Sequence, residues 1–411
     1  MVRYRAGDAQ SVRPGAAAVK ILVLTPTFLP VVGGAEIVLF EIYRRLAARH
    51  EILLVTPHLD PALVRDQASK EYEAMVKFPV ERYQDRVSFM RVPGHRWSGG
   101  AIPPFSLSAV AAVRDAVRRF SPDVLNVHYM MPTGLAGVVA DRWWGVPTVI
   151  TLNGRDVPGP GVPLLWRWWQ RALLRLVTDV TYGSQYCLTA LYGHGGGRGQ
   201  VVYNGVPIPP PPGDGIALRR SLGVPAGEPL FFCLQRLGPE KQVKIVLQAM
   251  RRFLDSARAG TLVVGGMGPE ETRLRELADE LGIQKHVRFV GYIPKDLLGS
   301  YFHACDVFVF HSTFETFGLV VAQAMSYGRA VVTVRNTALP EVLGEGGVLV
   351  ETGDWRAMGE AMITLASDEP LRRCLGEAGR TRAEALFNWD RIAEQYEAVM
   401  TRAACRNAHG H

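Results

Sequence analysis

The sequence predicts an α/β fold built as two parallel-sheet domains, and three observations carry that prediction. The chain has 411 residues, 48% of them hydrophobic, which is more than one ordinary core accommodates. In both halves, short apolar runs that read as strands covered on both faces alternate with stretches of helical periodicity, the signature of βα units. Near the middle a proline-rich run, Pro207-Ile-Pro209-Pro-Pro-Pro212, interrupts the alternation and reads as a stiff connector.

Charge and cysteine usage narrow the function classes. The formal net charge is +7 and the pI about 9.2, so anionic partners are favoured, whether sugar nucleotides, anionic lipids or nucleic acid. The charged residues, 21% of the chain, are scattered without long blocks, and no nucleic-acid-binding motif is present, so no nucleic-acid partner is expected. Cysteines 187, 233, 305, 374 and 405 lie far apart, without metal or redox spacing, as expected in a reducing cytosol. No run is long and apolar enough to span a membrane, and no signal-peptide pattern precedes residue 20; residues 1–19 read as a loose arm.

In the first half, Lys20–Thr25 and Glu51–Thr56 read as strands, with a helix from Ile37 to Ala48 between them. The loop before that helix contains Gly33-Gly34, which permits close backbone approach to a ligand or simply a flexible turn. Val87–Val92 reads as a strand within a less regular stretch. Ala109–Phe120 reads as a helix with Val110, Val113 and Val117 on its apolar face. Pro122–His128 is a further strand, and His128 at its end serves either a ligand crevice or the core. Val146–Thr151 is the next strand and runs into Leu152-Asn153-Gly154-Arg155-Asp156. The helix Leu165–Leu176 is rich in Trp and Arg; it presents its aromatic face either to the core or to a membrane surface.

In the second half, strand Leu230–Leu234 leads into Gln235-Arg236-Leu-Gly-Pro-Glu240-Lys241. A guanidinium fork and an ammonium flanking such a loop suit a diphosphate. Strand Thr261–Val264 ends in a turn containing Gly266 and Gly268. Strand Val307–Phe310 leads through His311-Ser-Thr-Phe-Glu315-Thr-Phe317-Gly318 into a helix starting at Leu319, where Val320 and Ala324, and Val321 and Met325, share faces. A helix N-terminus carries free N–H groups and partial positive charge, which favours phosphate, while Glu315 just before it can accept from sugar hydroxyls. An ordinary strand-to-helix turn with a solvated Glu reads the same locally. Ala330–Val334 is the following strand.

Taken in order, these segments resemble the family 4 (group 1) glycosyltransferases. Glu315 and Phe317-Gly318-Leu319 match that family's donor signature, with Gln323 where a second Glu usually stands. Gly33-Gly34-Ala35-Glu36 resembles its N-terminal loop. Thr151, Gly154 and Asp156 match a segment in which Asn153 replaces the usual His. Asn204-Gly205 matches a turn at the domain junction, Arg236 and Lys241 its cationic loop, and His286–Tyr292, including Val290, its base-binding loop. Asn336–Val342 stands where the family has Gly-Gly-x-Pro-Glu.

The resemblance implies two Rossmann-like domains facing across a cleft, the GT-B arrangement: residues 20–206 for the acceptor, 207–388 for the nucleotide-sugar, and a helix from 389 to 411 returning to the first. It implies retaining transfer of a sugar from a UDP- or GDP-sugar to a hydroxyl of a glycan, lipid-linked or small-molecule acceptor, in cell-surface glycan or glycolipid synthesis. The nucleotide-sugar is a co-substrate; no cofactor is expected. No metal is expected either, since no Asp-x-Asp pair is present to hold an ion on the diphosphate. Arg236, Lys241, Glu315 and Asn153 are the expected catalytic group. Gly33, Gly34, Gly266, Gly268, Val290, Phe317, Gly318, Leu319 and Gln323 are expected to bind the donor. The expected location is the cytoplasm, with peripheral attachment to the inner membrane face left open. Two other readings share the scaffold: a sugar-nucleotide epimerase or hydrolase, and a silent nucleotide-sugar-binding protein, the latter suggested by Asn153 and Gln323.

Overall fold

The computed structural model describes residues 18–30, 33–58, 74–86, 105–159, 164–194, 196–209, 215–256 and 259–408. The first half contains β1 (Lys20–Leu24), α1 (Gly34–Leu46), β2 (Glu51–Pro57), β3 (Val80–Tyr83), α2 (Leu107–Phe120), β4 (Val124–His128), α3 (Gly134–Trp143), β5 (Thr148–Leu152), α4 (Leu164–Leu174), β6 (Asp179–Tyr182), α5 (Gln185–Tyr192) and β7 (Gln200–Val201). Its seven strands are parallel, in the order β3-β2-β1-β4-β5-β6-β7.

The strands are apolar on both faces because both faces are covered. Leu22, Leu24, Leu125 and Val127 pack with α2 and α3, while the alternate residues Ile21, Val23 and Val124 pack with α1 and the C-terminal helix. On α2, Ser106 caps the N-terminus by accepting from the Ala109 N–H at 3.0 Å. The buried stripe of that helix is Ala109, Val113 and Ala116; Val110 and Val117 lie at its margin. The expected face is therefore rotated by about one residue, since two small alanines rather than the flanking valines sit closest to the sheet. Strands β3 and β6 escaped the sequence reading because Val-Glu-Arg-Tyr and Asp-Val-Thr-Tyr carry no continuous apolar run. The expected strand at 87–92 and residues 1–17 of the expected arm 1–19 lie outside the described residues; Val19, the last residue of that arm, is buried and its N–H donates to His50 Nδ1 at 3.1 Å.

The second half contains α6 (Ile216–Ser221), β8 (Leu230–Leu234), α7 (Val243–Asp255), β9 (Thr261–Gly265), α8 (Glu271–Glu280), β10 (Val287–Gly291), α9 (Lys295–Ala304), β11 (Val307–Val309), α10 (Leu319–Ser326), β12 (Ala330–Val334), α11 (Leu339–Leu343), β13 (Gly347–Val350), α12 (Trp355–Ser367) and α13 (Glu369–Leu386). Its six parallel strands run β10-β9-β8-β11-β12-β13.

The last helix, α14 (Trp389–Ala408), leaves the second half and buries Trp389, Ile392, Tyr396, Val399 and Met400 in the first half's core. Where the chain crosses back, Val206 bridges Asn388 in parallel and its N–H donates to the Phe387 carbonyl at 2.7 Å. Gly205 is needed at this crossing because a Cβ there would lie 2.3 Å from the Trp389 ring.

Candidate active site

Each sheet reverses its strand order beside its first strand, between β1 and β4 in one and between β8 and β11 in the other. Open α/β sheets bind ligands outside the carboxyl ends of the strands at such reversal points. At the second one, the loops after β8 and β11 meet. Thr313 donates to the Glu240 carbonyl through both its backbone N–H and its hydroxyl, each at 3.0 Å. Lys241 Nζ is ion-paired with Glu315 Oε1. Glu315 is further held by its own backbone: its N–H donates to Thr337 Oγ1 at 3.0 Å, and its carbonyl accepts from Ala338 N–H at 3.2 Å.

Arg236 is not part of that pair. It is exposed and its guanidinium pairs with Glu240, four residues on. Gln235, just before Arg236, is buried and donates from Nε2 to the Lys241 carbonyl at 3.3 Å. Gly266 and Gly268 lie flush on this loop. A Cβ on Gly266 would come within 1.9 Å of the Gln235 carbonyl oxygen, and one on Gly268 within 2.3 Å of that of Leu237. Both glycines thus have a packing reason to be there, and they border the arginine loop. Val290 sits half-buried in edge strand β10, where the pairing register shifts between Phe289 and Gly291.

Helix α10 begins at this crossing of loops. Gly318 caps it in the left-handed region (φ 89°), and a Cβ there would lie 2.7 Å from Leu339 Cδ2, so both backbone and space demand glycine. Phe317 departs from expectation: its ring is buried against Tyr203 and Phe387, at 6.2 and 5.2 Å between centroids. Its side chain anchors the loop in the core. Leu319 is partly exposed and faces the first half. A Cβ on Gly34 would stand 3.0 Å from Leu319 Cδ1, so Gly33-Gly34 at the start of α1 lies against the start of α10. The amino ends of two helices therefore converge. Gln323 is half-exposed in the second turn of α10.

In the first half, Asn153 opens a single 3₁₀ turn, Gly154–Asp156. Its Nδ2 lies 3.3 Å from His128 Nδ1. His128 is wholly buried; its Nε2 is 2.6 Å from the Tyr43 hydroxyl, which donates to Asn126 Oδ1 at 2.5 Å. Since that hydroxyl has one proton, His128 donates from Nε2 and accepts from Asn153 at Nδ1. Burial holds the ring neutral, its pKa pushed down to about 3. His128 is thus a core histidine that orients Asn153 from behind. Asp156, also buried, accepts from the Met130, Met131 and Asn153 N–H groups at 2.8, 3.2 and 3.4 Å; burial pushes its pKa up to about 7 against those three donors.

Contacts between residues far apart in sequence join the two halves. Ser184 Oγ donates to the Thr316 carbonyl at 2.7 Å. The carboxylate of Glu341 accepts from the Gln185 and Tyr186 N–H groups at the start of α5, at 2.6 and 2.9 Å, and from the Tyr203 hydroxyl at 2.9 Å. An anion at a helix N-terminus is a favourable arrangement. Only the Pro340-Glu341 pair, within the otherwise altered glycine motif, marked this position in the sequence.

Residues 32–208 match Glycosyltransferase Family 4 and residues 215–382 match Glycosyl transferases group 1. A D-inositol 3-phosphate glycosyltransferase of Thermomonospora curvata is 32% identical over 311 residues, covering 68% of this chain and 72% of that one. The chain belongs to the family 4 (group 1) glycosyltransferases. An N-acetyl-alpha-D-glucosaminyl L-malate synthase of Bacillus anthracis is 27% identical over 385 residues, covering 91% of this chain and 95% of that one. Among solved structures, Anabaena HepE in complex with UDP superposes with a TM-score of 0.76 at 23% identity, covering 93% of this chain and all of the other. A sucrose-phosphate synthase of Thermosynechococcus elongatus gives 0.74 at 22% identity, covering 92% and 98%. The expected GT-B architecture is the one observed. Among the described residues, no helix is long and apolar enough to cross a membrane.

Proposed function

We propose that this glycosyltransferase moves a sugar, with retention, from a UDP- or GDP-sugar to a hydroxyl acceptor without a metal ion. The observation that carries the reading is the meeting of Lys241 and Glu315 before the amino end of α10, at the strand-order reversal of the second sheet. The diphosphate lies against the first N–H groups of α10, beyond Gly318. Lys241 and Arg236 supply the positive charge that grows in value as the sugar–phosphate bond breaks, stabilisation of the oxyanion-hole kind. Glu315 accepts from hydroxyls of the transferred sugar, and Gln323 accepts from the nucleotide's ribose through its amide carbonyl. The C1–O bond to the phosphate breaks, an oxocarbenium-like centre forms, and the acceptor oxygen bonds C1 on the same face. The acceptor's proton passes to the departing phosphate oxygen. Asn153 does not titrate, so it acts by hydrogen bonding alone. The nucleotide-sugar is a co-substrate, in keeping with HepE structures carrying UDP and UDP-glucose.

The test is a thermal-shift screen of UDP, GDP and ADP without added metal, followed by transfer assays with the corresponding sugars. Ligand at about 100 times its Kd stabilises the fold by about 2.7 kcal/mol. A shift with one base, and nucleotide release that depends on acceptor, support the reading. Acceptor-independent turnover indicates a hydrolase or epimerase, and binding without turnover a silent protein. Activity abolished by a chelator and restored by Mn²⁺ removes the metal-free part.

A further inference from the structure

Helix α4 turns two different faces outward and inward. Inward, Leu173 and Leu174 are buried, and Trp166 stacks on Trp169 at 5.6 Å where both meet the first half's core. Gln170 is buried as well, donating to the Asp156 carbonyl at 2.8 Å, so the helix is fastened to the turn that Asn153 opens. Outward, Leu165 is 73% and Trp168 63% exposed, three residues apart on one helical face. Just beyond the other end Leu176 is exposed, and its carbonyl accepts from Arg142 Nε at 3.0 Å. Arg142 precedes Trp143, which is 72% exposed. Large exposed apolar side chains therefore mark both ends of one helix.

Charge says what covers this face. Beside Trp143 and Leu176 two arginines, Arg142 and Arg175, are exposed, whereas Arg167 is half-buried and Arg171 is turned to the Leu191 carbonyl and the Tyr192 ring; between Asp156 and Asp179 the chain has no acidic residue. A soluble protein partner would accept mixed charge, whereas a face of Trp and Leu beside the exposed Arg142 and Arg175, with Asp141 half-buried and engaged by Thr148 and Thr178, is complementary to an anionic lipid surface. Tryptophan and leucine enter the headgroup boundary, and the arginines meet the phosphates. We propose that α4, with Trp143 and Leu176, docks onto an anionic phospholipid bilayer. This rests on the proposed transfer reaction and specifies its acceptor as a membrane-borne hydroxyl compound, delivered to the cleft beside Asn153.

The experiment is flotation of the whole protein with vesicles of phosphatidylcholine alone or mixed with phosphatidylglycerol, at low and high salt. Binding is expected only to the anionic vesicles, weakened by salt. Leu165→Ser combined with Trp168→Ser, and separately Arg175→Glu, should each lower that binding roughly tenfold or more. The nucleotide-induced thermal shift should stay that of the parent, since none of these residues lies in the donor site; retention of that shift also shows that the variants fold. Absence of vesicle binding by the parent, undiminished binding by the variants, equal binding to neutral vesicles, or a stable dimer that covers α4 would each overturn the proposal. A missing nucleotide shift in the parent would instead count against the donor site.

Discussion

Lys241 and Glu315, 74 residues apart in sequence, form one ion pair at the mouth of the second sheet. The pair joins the leaving-group side of the proposed site to its sugar side. Lys241→Ala and Arg236→Ala should each lower turnover by on the order of 10²-fold or more, the scale found when one charge-stabilising donor is removed. Because Glu315 loses its partner in the first variant, Lys241→Ala with Glu315→Gln should cost less than the two single changes added together. Steady-state and single-turnover rates of the parent, the three single variants and the double variant check this; near-normal rates in both single cation variants would remove the assigned site.

Gln323 retains a carbonyl acceptor where a carboxylate is usual, and a neutral hydrogen bond is roughly half as strong as a charge-assisted one. Gln323→Glu should keep kcat/KM within about tenfold, under ~1.4 kcal/mol. Gln323→Leu should raise the donor KM with a smaller change in kcat, the mark of lost uniform binding. Unchanged donor KM in the Leu variant would show that the side chain does not touch the nucleotide, and transfer by the Glu variant alone would make the parent a silent protein.

Gly318→Ala places a side chain at φ 89° and against Leu339. The backbone term alone should cost roughly 1–3 kcal/mol. Leu339→Ala in the same chain should relieve the collision but not the backbone strain. Urea midpoints of the parent, Gly318→Ala, Leu339→Ala and the double variant separate the two contributions; a Gly318→Ala protein as stable as the parent would contradict the left-handed cap.

His128 should make stability depend on pH. Its pKa is about 3 when folded, against about 6.5 for an exposed histidine. Between those values the unfolded chain binds the extra proton, so stability is full above about pH 6.5 and declines as pH falls towards 3, by up to roughly 1.4 kcal/mol per pH unit. Urea unfolding of the parent and His128→Gln across that range should give a flatter acid limb for the variant. Parallel limbs would mean that His128 is charged or solvated in the folded state.

Much of this was legible because buried parallel strands cannot hide: Ile21 to Leu24 and Phe231 to Cys233 are apolar on every residue. The glycine start of α10 was legible through residue types, since Gly318 stands between a polar loop and an apolar helix, but those residues alone read equally as an ordinary strand-to-helix turn. What could not be read was pairing across distance. Nothing local to Lys241 indicates that it meets Glu315 while Arg236 meets Glu240. Phe317, quoted within a binding signature, proved to be an anchor, because a motif records which residues occur and not which way their side chains turn. Strands β3, β6 and β13 are too short or too polar to signal themselves.

The two crossings between the halves, at Val206 and at Phe387–Asn388, are bonded neighbours rather than separate tethers. Two adjacent strands act mechanically as one strap, which bends easily but resists sliding. Motion between the halves is therefore confined to swinging about that strap, as a book turns on its spine, and the widest displacement falls at the edges farthest from Trp389. The bond from Ser184 to Thr316 and the grip of Glu341 on α5 are fastened across the pages, so every outward swing must first release them. Spin labels on exposed helix ends of the two halves would report one dominant distance change, and its amplitude should rise when Glu341 is replaced by alanine.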